Sequence, residues 1–226
     1  MNKSPSSQAH SDGFEFDYIH DPSLIEKRSF QIIRETTNLS PFAEDEKQIV
    51  MRLIHTSGDT EVYRYVNFGG DAVRAGIDAI ASGSVVLCDV EMLKSALTAK
   101  FVPVEKICLI GDSRVRKRAQ SLNETRSMAA VHYWREHLAG SIVAIGNAPT
   151  ALFRLLELIA QGLAPPKLII AMPVGFVGAA ESKEMLIRIA TRLDIPFITL
   201  SGRLGGSAMT ASVLNAIGRM HSGVRY

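Results

Sequence analysis

The stretch SIVAIGNAPTALFRLLELIAQGLAPPKLIIAM, residues 141–172, decides the fold class. It opens with a short apolar run, Ser141 to Ile145. It continues through a helical period, PTALFRLLELIAQG, with Pro149 near the first helical position and Gly162 as a stop signal. It closes on a second apolar run, Lys167 to Met172. Both runs lack the polar alternation of a half-exposed strand, so each reads as a strand covered on both faces. Strand, helix, strand in this spacing is a βαβ unit, which joins parallel strands by a right-handed crossover.

The same rhythm extends in both directions. Ser84 to Cys88, Lys106 to Ile110 and Pro196 to Leu200 are further strand candidates, while AAESKEMLIRIATRL and GGSAMTASVLNAIGRM carry helical periods. The expected fold is a three-layer α/β/α domain around a mainly parallel, doubly wound sheet of about five strands. The first third differs. Helices are expected over about Pro22 to Asn38 and about Pro41 to Ser57. Ser40 is taken as the second helix's N-cap, Glu44, Asp45 and Glu46 lie near its positive end, and Gly58 is its stop. Residues 60–68 (TEVYRYVNF) fit strand or helix equally. No linker composition separates this region from the sheet, so it reads as a helical subdomain of a single domain over 16–226, behind a Ser-rich polar tail at 1–15 expected to be disordered.

Composition removes several function classes. A formal charge of +2 over 226 residues does not imply nucleic acid. Cys88 and Cys108 sit in apolar runs and read as reduced core residues, and six scattered histidines offer no metal-ligand spacing. No apolar run approaches the roughly 20 residues that span a bilayer, and no signal-peptide core is visible near Met1. A soluble, cytoplasmic protein is expected, with no nucleic acid and no membrane among its partners. Neither a dinucleotide G-x-G-x-x-G nor a phosphate-loop G-x-x-x-x-G-K-[ST] is present.

In an open parallel sheet, ligands bind beyond the carboxyl ends of the strands. Those ends carry Asp89-Val90-Glu91, then Gly146-Asn147-Ala148-Pro149-Thr150, the segment from Pro173 through Gly175 and Gly178 to Ser182, and Ser201-Gly202-Arg203-Leu204-Gly205-Gly206-Ser207. Three of these turns feed helix N-termini, where free N–H groups and the dipole favour anions. Asn147, Thr150, Gly175, Gly178, Ser182, Arg203, Gly205, Gly206 and Ser207 are therefore candidates for holding an acidic ligand. Short βα loops also need glycine for geometry alone.

On the helix from Pro41, Arg52 and His55 are three residues apart on one flank of the stripe Ile49, Val50 and Leu53. His55 lies in the last turn, where the dipole favours imidazolium. It suits either a proton donor or a C-terminal cap. Arg114, Arg116, Lys117 and Arg118 follow the second strand; arginines there suit bidentate carboxylate binding, but Arg116 to Arg118 read as a solvated loop, and no interleaved aromatics mark a nucleic-acid surface.

Seven strings in order, EKRSFQIIR, MRLIHTSGDTE, VLCDVEM, NETRSMAA, AIGNAPTALFRLLELI, MPVGFVGAAESKE and GRLGGSAMTASVLNAI, resemble the precorrin-8X methylmutase family, including its cobalt-precorrin-8 branch. The resemblance runs from about Phe16 to about Arg219. It implies a flavodoxin-like fold, a usually dimeric enzyme, and a methyl shift between adjacent carbons of ring C of a corrin precursor, giving hydrogenobyrinate or its cobalt counterpart. It implies no cofactor of the protein's own; any cobalt belongs to the substrate. It places the catalytic histidine on His55 and substrate contacts on Ser29, Arg52 and Arg126. The segment GDSRVRKRAQ departs from the family's more apolar, Pro-containing pattern, so no role follows for Arg114 to Arg118. A non-catalytic tetrapyrrole carrier is the alternative. A methyltransferase using S-adenosylmethionine is a third class, but VVLCDVEM stands where its glycine-rich loop belongs.

Overall fold

The computed structural model describes residues 16–226; the tail expected at 1–15 lies outside them. Six strands form one sheet: β1 (Val66–Gly69), β2 (Val86–Cys88), β3 (Lys106–Cys108), β4 (Ile142–Ile145), β5 (Leu168–Ala171) and β6 (Phe197–Leu200), in the order β1-β6-β5-β4-β2-β3. All pairs are parallel except β1 with β6. The five expected strands are present at their expected places. The sixth, β1, comes from the undecided segment 60–68, which splits into a 3₁₀ turn, Thr60–Tyr65, and then the strand.

Ten helices complete the described residues: α1 (Pro22–Thr36), α2 (Glu44–Ser57), α3 (Ala72–Ala81), α4 (Glu91–Ala96), α5 (Ser113–Leu122), α6 (Arg126–His132), α7 (Arg135–Leu138), α8 (Pro149–Ala160), α9 (Ala179–Arg192) and α10 (Ser207–His221). Alternate strand residues point into two apolar clusters, which is why the runs read as continuously apolar. Ile142, Ala144, Leu168, Ile170, Ile198 and Leu200 join one cluster, with Phe30 and Ile33 of α1, Ile49 and Leu53 of α2, and Val213 and Ile217 of α10. Val143, Ile145, Ile169, Ala171 and Phe197 join the other, with Leu152 and Leu155 of α8 and Leu186 of α9. The N-terminal helices thus share one core with the sheet.

Two local expectations are corrected. Ser40 does not cap α2. Its amide and hydroxyl both bond Asn38 Oδ1 (3.1 and 2.7 Å), which closes a separate turn, and Pro41 lies outside the helix. The cap is Ala43, whose amide donates to Glu46 Oε2 at 2.9 Å. Gly58 does end α2, in the left-handed region at φ 70°. Arg114 to Arg118 are not a loop. Asp112 accepts from the Arg114 amide at 2.8 Å and starts α5, and Asn123, at φ 51°, ends it. The stretch is a helix with a solvated basic face, in which only Val115 and Ala119 are buried.

Candidate active site

His55 sits two residues from the end of α2, its side chain open to solvent on one side. Its ring stacks on Phe30 of α1 (centroids 5.2 Å apart, planes 15° apart), and Phe30 stacks in turn on Tyr226 (3.9 Å, 14°). The Arg52 guanidinium lies over both Phe30 (5.0 Å) and Tyr226 (4.4 Å). The Arg219 guanidinium lies over Tyr226 (4.6 Å) and Phe101 (5.0 Å). Arg52 also donates to the Tyr226 hydroxyl. One carboxylate oxygen, Glu26 Oε1, faces both arginines, at 3.2 Å from Arg52 and 3.4 Å from Arg219. Ser29 is half-buried one turn on from Glu26 on the same helix flank.

This corner corrects the expected electrostatics of His55. The helix dipole alone favours imidazolium. Here partial burial, and then the charge of Arg52, hold the pKa of His55 below its usual value, opposed only in part by Glu26. The imidazole is therefore largely neutral at pH 7, with its protonated form a stronger acid than a free histidine. Arg52 is itself pulled down by burial, against its hydrogen bond to Glu26.

Arg52 and Arg219 face a cleft of about 270 Å³ between α2, the end of α4 and one face of α10 from Ala208 to Arg219, whose walls include Thr56, Thr98 and Phe101. Asn215 of α10 holds the far wall: its Oδ1 accepts from the Thr98 amide (2.9 Å) and its Nδ2 donates to the Ala96 carbonyl (3.0 Å). Arg219 and Asn215 went unread in the sequence, although Ser212, Asn215 and Arg219 share one face of α10 at helical spacing. Glu26, Phe30 and Tyr226 went unread too, and nothing in their local sequence marks them.

The remaining candidates lie at the carboxyl edge of the sheet. The turn after β4 does not present free N–H groups to a ligand. The fully buried Asp89 carboxylate, at the end of β2, accepts from the amides of Gly146 (3.1 Å), Asn147 (2.8 Å) and Ala148 (2.9 Å). Burial pushes the pKa of Asp89 up, against the downward pull of those three donors. The Asn147 side chain stays exposed. Thr150 meets Thr125 hydroxyl to hydroxyl at 2.8 Å, which sets it beside Arg126, the exposed first residue of α6. Just before them, Glu124 is held between Arg118 (2.9 Å) and Arg154 (3.3 Å).

The loops after β5 and β6 are laced together. The Gly175 amide donates to the Arg203 carbonyl (3.4 Å), the Gly206 amide to the Met172 carbonyl (2.8 Å), and the Arg203 guanidinium lies 5.4 Å from the exposed Phe176 ring. A Cβ on Gly205 would stand 2.1 Å from the Met172 carbonyl oxygen, so the two loops approach this closely only with glycine there. Gly178, at φ 77°, is the N-cap of α9 and Gly206 that of α10; neither helix start has a side-chain cap, as expected of turns that leave N–H groups free. Ser207 is buried. Ser182 is fully buried, and its hydroxyl donates to the Ala179 carbonyl (3.1 Å), so it faces its own helix. Beside it, buried Lys183 donates to the Leu204 carbonyl at 2.6 Å, and burial lowers its pKa to about 8.

Ser29, Arg52 and His55 thus gather at one corner, and Arg126, Thr150, Gly175, Gly178, Arg203, Gly205 and Gly206 along the sheet edge. The first turns of α10 connect the two: Ser207 lies at the edge and Ala208 lines the cleft. Cys88 and Cys108 are free and face each other in register on β2 and β3. Burial raises both thiols, Cys108 to about 11, so neither is a thiolate at neutral pH. Among the described residues no three His, Cys, Asp or Glu side chains cluster as metal ligands, and no helix is long and apolar enough to cross a membrane.

Comparison with known proteins gives the geometry a family. Residues 24–220 match the family model described as precorrin-8X methylmutase. A precorrin-8X methylmutase from Sinorhizobium is 46% identical over 91% of this chain and 98% of its own. A cobalt-precorrin-8 methylmutase from Priestia megaterium is 44% identical over 91% of each chain. The crystal structure of a precorrin-8X methylmutase from Thermus thermophilus superposes with a TM-score of 0.81, at 36% identity, over 89% of this chain and 97% of that one. The chain belongs to the precorrin-8X methylmutase family, isomerases of cobalamin biosynthesis that act by methyl migration.

Proposed function

We propose that this chain moves a methyl group between adjacent ring-C carbons of precorrin-8, or of its cobalt-bearing counterpart, with His55 as its acid–base residue. One carbon–carbon bond to the methyl breaks and another forms on the neighbouring carbon. Substrate and product have the same composition, so the step is balanced without oxidant or reductant. A rearrangement within one molecule asks for a pocket that fits the shifted state and for one well-placed proton or hydrogen-bond donor. The carrying observation is His55 stacked on Phe30, whose ring also lies under Arg52, one of two arginines that line a cleft. A corrin precursor is an apolar macrocycle fringed with carboxylates. Stacked rings and guanidiniums suit its face and its rim.

In this reading His55 donates to the macrocycle, Ser29 and Arg52 seat it at the helix corner, and Arg126, Thr150, Asn147 and Arg203 meet carboxylate arms along the sheet edge. The backbone of Gly175, Gly178, Gly205, Gly206 and Ser207 lets those arms approach. Ser182 contributes by holding the start of α9. The reaction draws on no cofactor beyond the substrate's own ring. The enzyme works as a cytoplasmic homodimer; the exposed Phe176 (83%) and Val177 (89%) support an association surface.

The test is turnover. The purified chain is incubated with precorrin-8 and, separately, with cobalt-precorrin-8, and the absorption spectrum is followed. Growth of the methyl-shifted chromophore in either arm is the expected result. Tight binding of product with no conversion in both arms would make the chain a carrier and overturn the proposal.

A further inference from the structure

We infer that Arg52 and Arg219 form a two-pronged clamp for one carboxylate arm of the substrate, and that Glu26 holds the clamp in the empty enzyme as a placeholder that the arm displaces. The inference rests on the methylmutase reading and names a subsite within it.

Charge balance carries the argument. Arg52 and Arg219 are mostly buried, with side-chain exposures of 16% and 18%, yet among the described residues they have one carboxylate between them, and both reach the same oxygen of it. Two buried guanidiniums against one carboxylate leave a net positive charge in a partly desolvated place, an arrangement that is costly unless another anion joins it. Among the described residues, no Asp or Glu lines the cleft they face. The Nε of Arg219 is buried and, among the described residues, has no hydrogen-bond partner. A guanidinium whose fork is only partly used is ready to take a carboxylate side-on. Glu26 is the most exposed member of the three, at 41%, and lies on the outer helix α1, so it can swing into water when another carboxylate arrives.

The aromatic shell explains why the clamp is rigid. Tyr226 lies across both guanidiniums, with Phe30 behind it, and Phe101 supports Arg219 from the other side. The flat faces are taken up by stacking, so a carboxylate meets these guanidiniums at their edges, where Glu26 now sits. Tyr226 is itself held by its amide, which donates to Gln48 Oε1 at 2.6 Å. The clamp stands beside His55, so the arm it takes fixes the macrocycle relative to the imidazole.

The placeholder predicts opposite effects of the two charges. Arg219→Gln should raise KM by about tenfold to a hundredfold, the loss expected of a charge-assisted hydrogen-bond pair, while kcat falls much less. Glu26→Gln removes the internal competitor and should lower KM severalfold. Arg219→Lys, which keeps the charge and loses the fork, should fall between wild type and Arg219→Gln. In the double variant, Glu26→Gln should no longer lower KM as it does alone. KM unchanged in Arg219→Gln, or raised in Glu26→Gln, overturns the clamp. Glu26→Gln, a change on a half-exposed helix position, keeps the test available if Arg219→Gln does not fold. Wild type inactive on both substrates would instead sink the methylmutase reading, so the two failures are distinguishable.

Discussion

The helix corner around His55 and the carboxyl edge of the sheet are built in opposite ways. The corner is made of side chains from α1, α2, α10 and the terminal Tyr226, and its charges are left unbalanced: two arginines share one carboxylate oxygen. The edge is made largely of backbone, and its buried charges are answered from within. Asp89 takes three amides, Glu124 and Glu157 together balance Arg118 and Arg154, and Lys183 meets the Leu204 carbonyl. Unanswered charge beside a cleft suits a place that binds and transforms. Answered charge under a loop suits a place that holds shape. Changes at the corner should therefore damage activity more than stability, and changes beneath the edge should do the reverse.

The largest expected effect is at the corner. His55→Ala should lower kcat by about 10²- to 10⁴-fold, the usual contribution of a positioned acid–base group, while the exposed position leaves Tm close to wild type. Undiminished turnover removes His55 from the mechanism. Next comes the edge. Asp89→Ala strands three amides, two of them buried, and should cost about 3 kcal/mol, read as a lower denaturation midpoint with an unchanged slope. A midpoint equal to wild type would mean that the turn after β4 does not depend on its internal anion.

Two pH experiments sharpen the contrast further. Lys183 has a folded pKa lowered to about 8 from 10.5. Between those values the unfolded chain binds more protons than the folded one, so this group makes stability rise as pH climbs from 8 toward 10.5. Lys183→Met should lose that component of the rise in Tm; an identical pH profile in both proteins contradicts it. At the corner, His55 should titrate below 6.5 in the free enzyme when followed by NMR. Arg52→Gln should move that titration upward and Glu26→Gln downward, because Arg52 depresses and Glu26 raises it. The smallest effect belongs to neither region. Lys47→Ala breaks a pair with exposed Glu44 on α2 and should change stability by no more than about 0.5 kcal/mol.

What could be read ahead of the structure followed from burial. The five parallel strands were legible because helices cover both their faces, which forces unbroken apolar runs. Strand β1 was not, since four half-buried residues on an antiparallel edge carry neither an unbroken run nor an alternation. Ser40 and Pro41 carried the right cap chemistry for a helix start, but Asn38 took the serine first. Ser182 looked available by its place in a loop-to-helix string, and its hydroxyl turned out to serve its own helix. Family resemblance pointed to Ser29, Arg52, His55 and Arg126. It did not reveal what surrounds them.

By itself, then, the sequence determined the layered sheet, the order of its strands along the chain, the glycine turns at their carboxyl ends and the family. These follow from local periodicity, backbone freedom and strings of adjacent residues. Only the tertiary structure decided that His55 is depressed rather than raised in pKa, that the turn after β4 is already filled by Asp89, and that Arg219 and Tyr226 stand beside Arg52. Those outcomes depend on desolvation and on charges from distant parts of the chain, and both arise only when the helices pack.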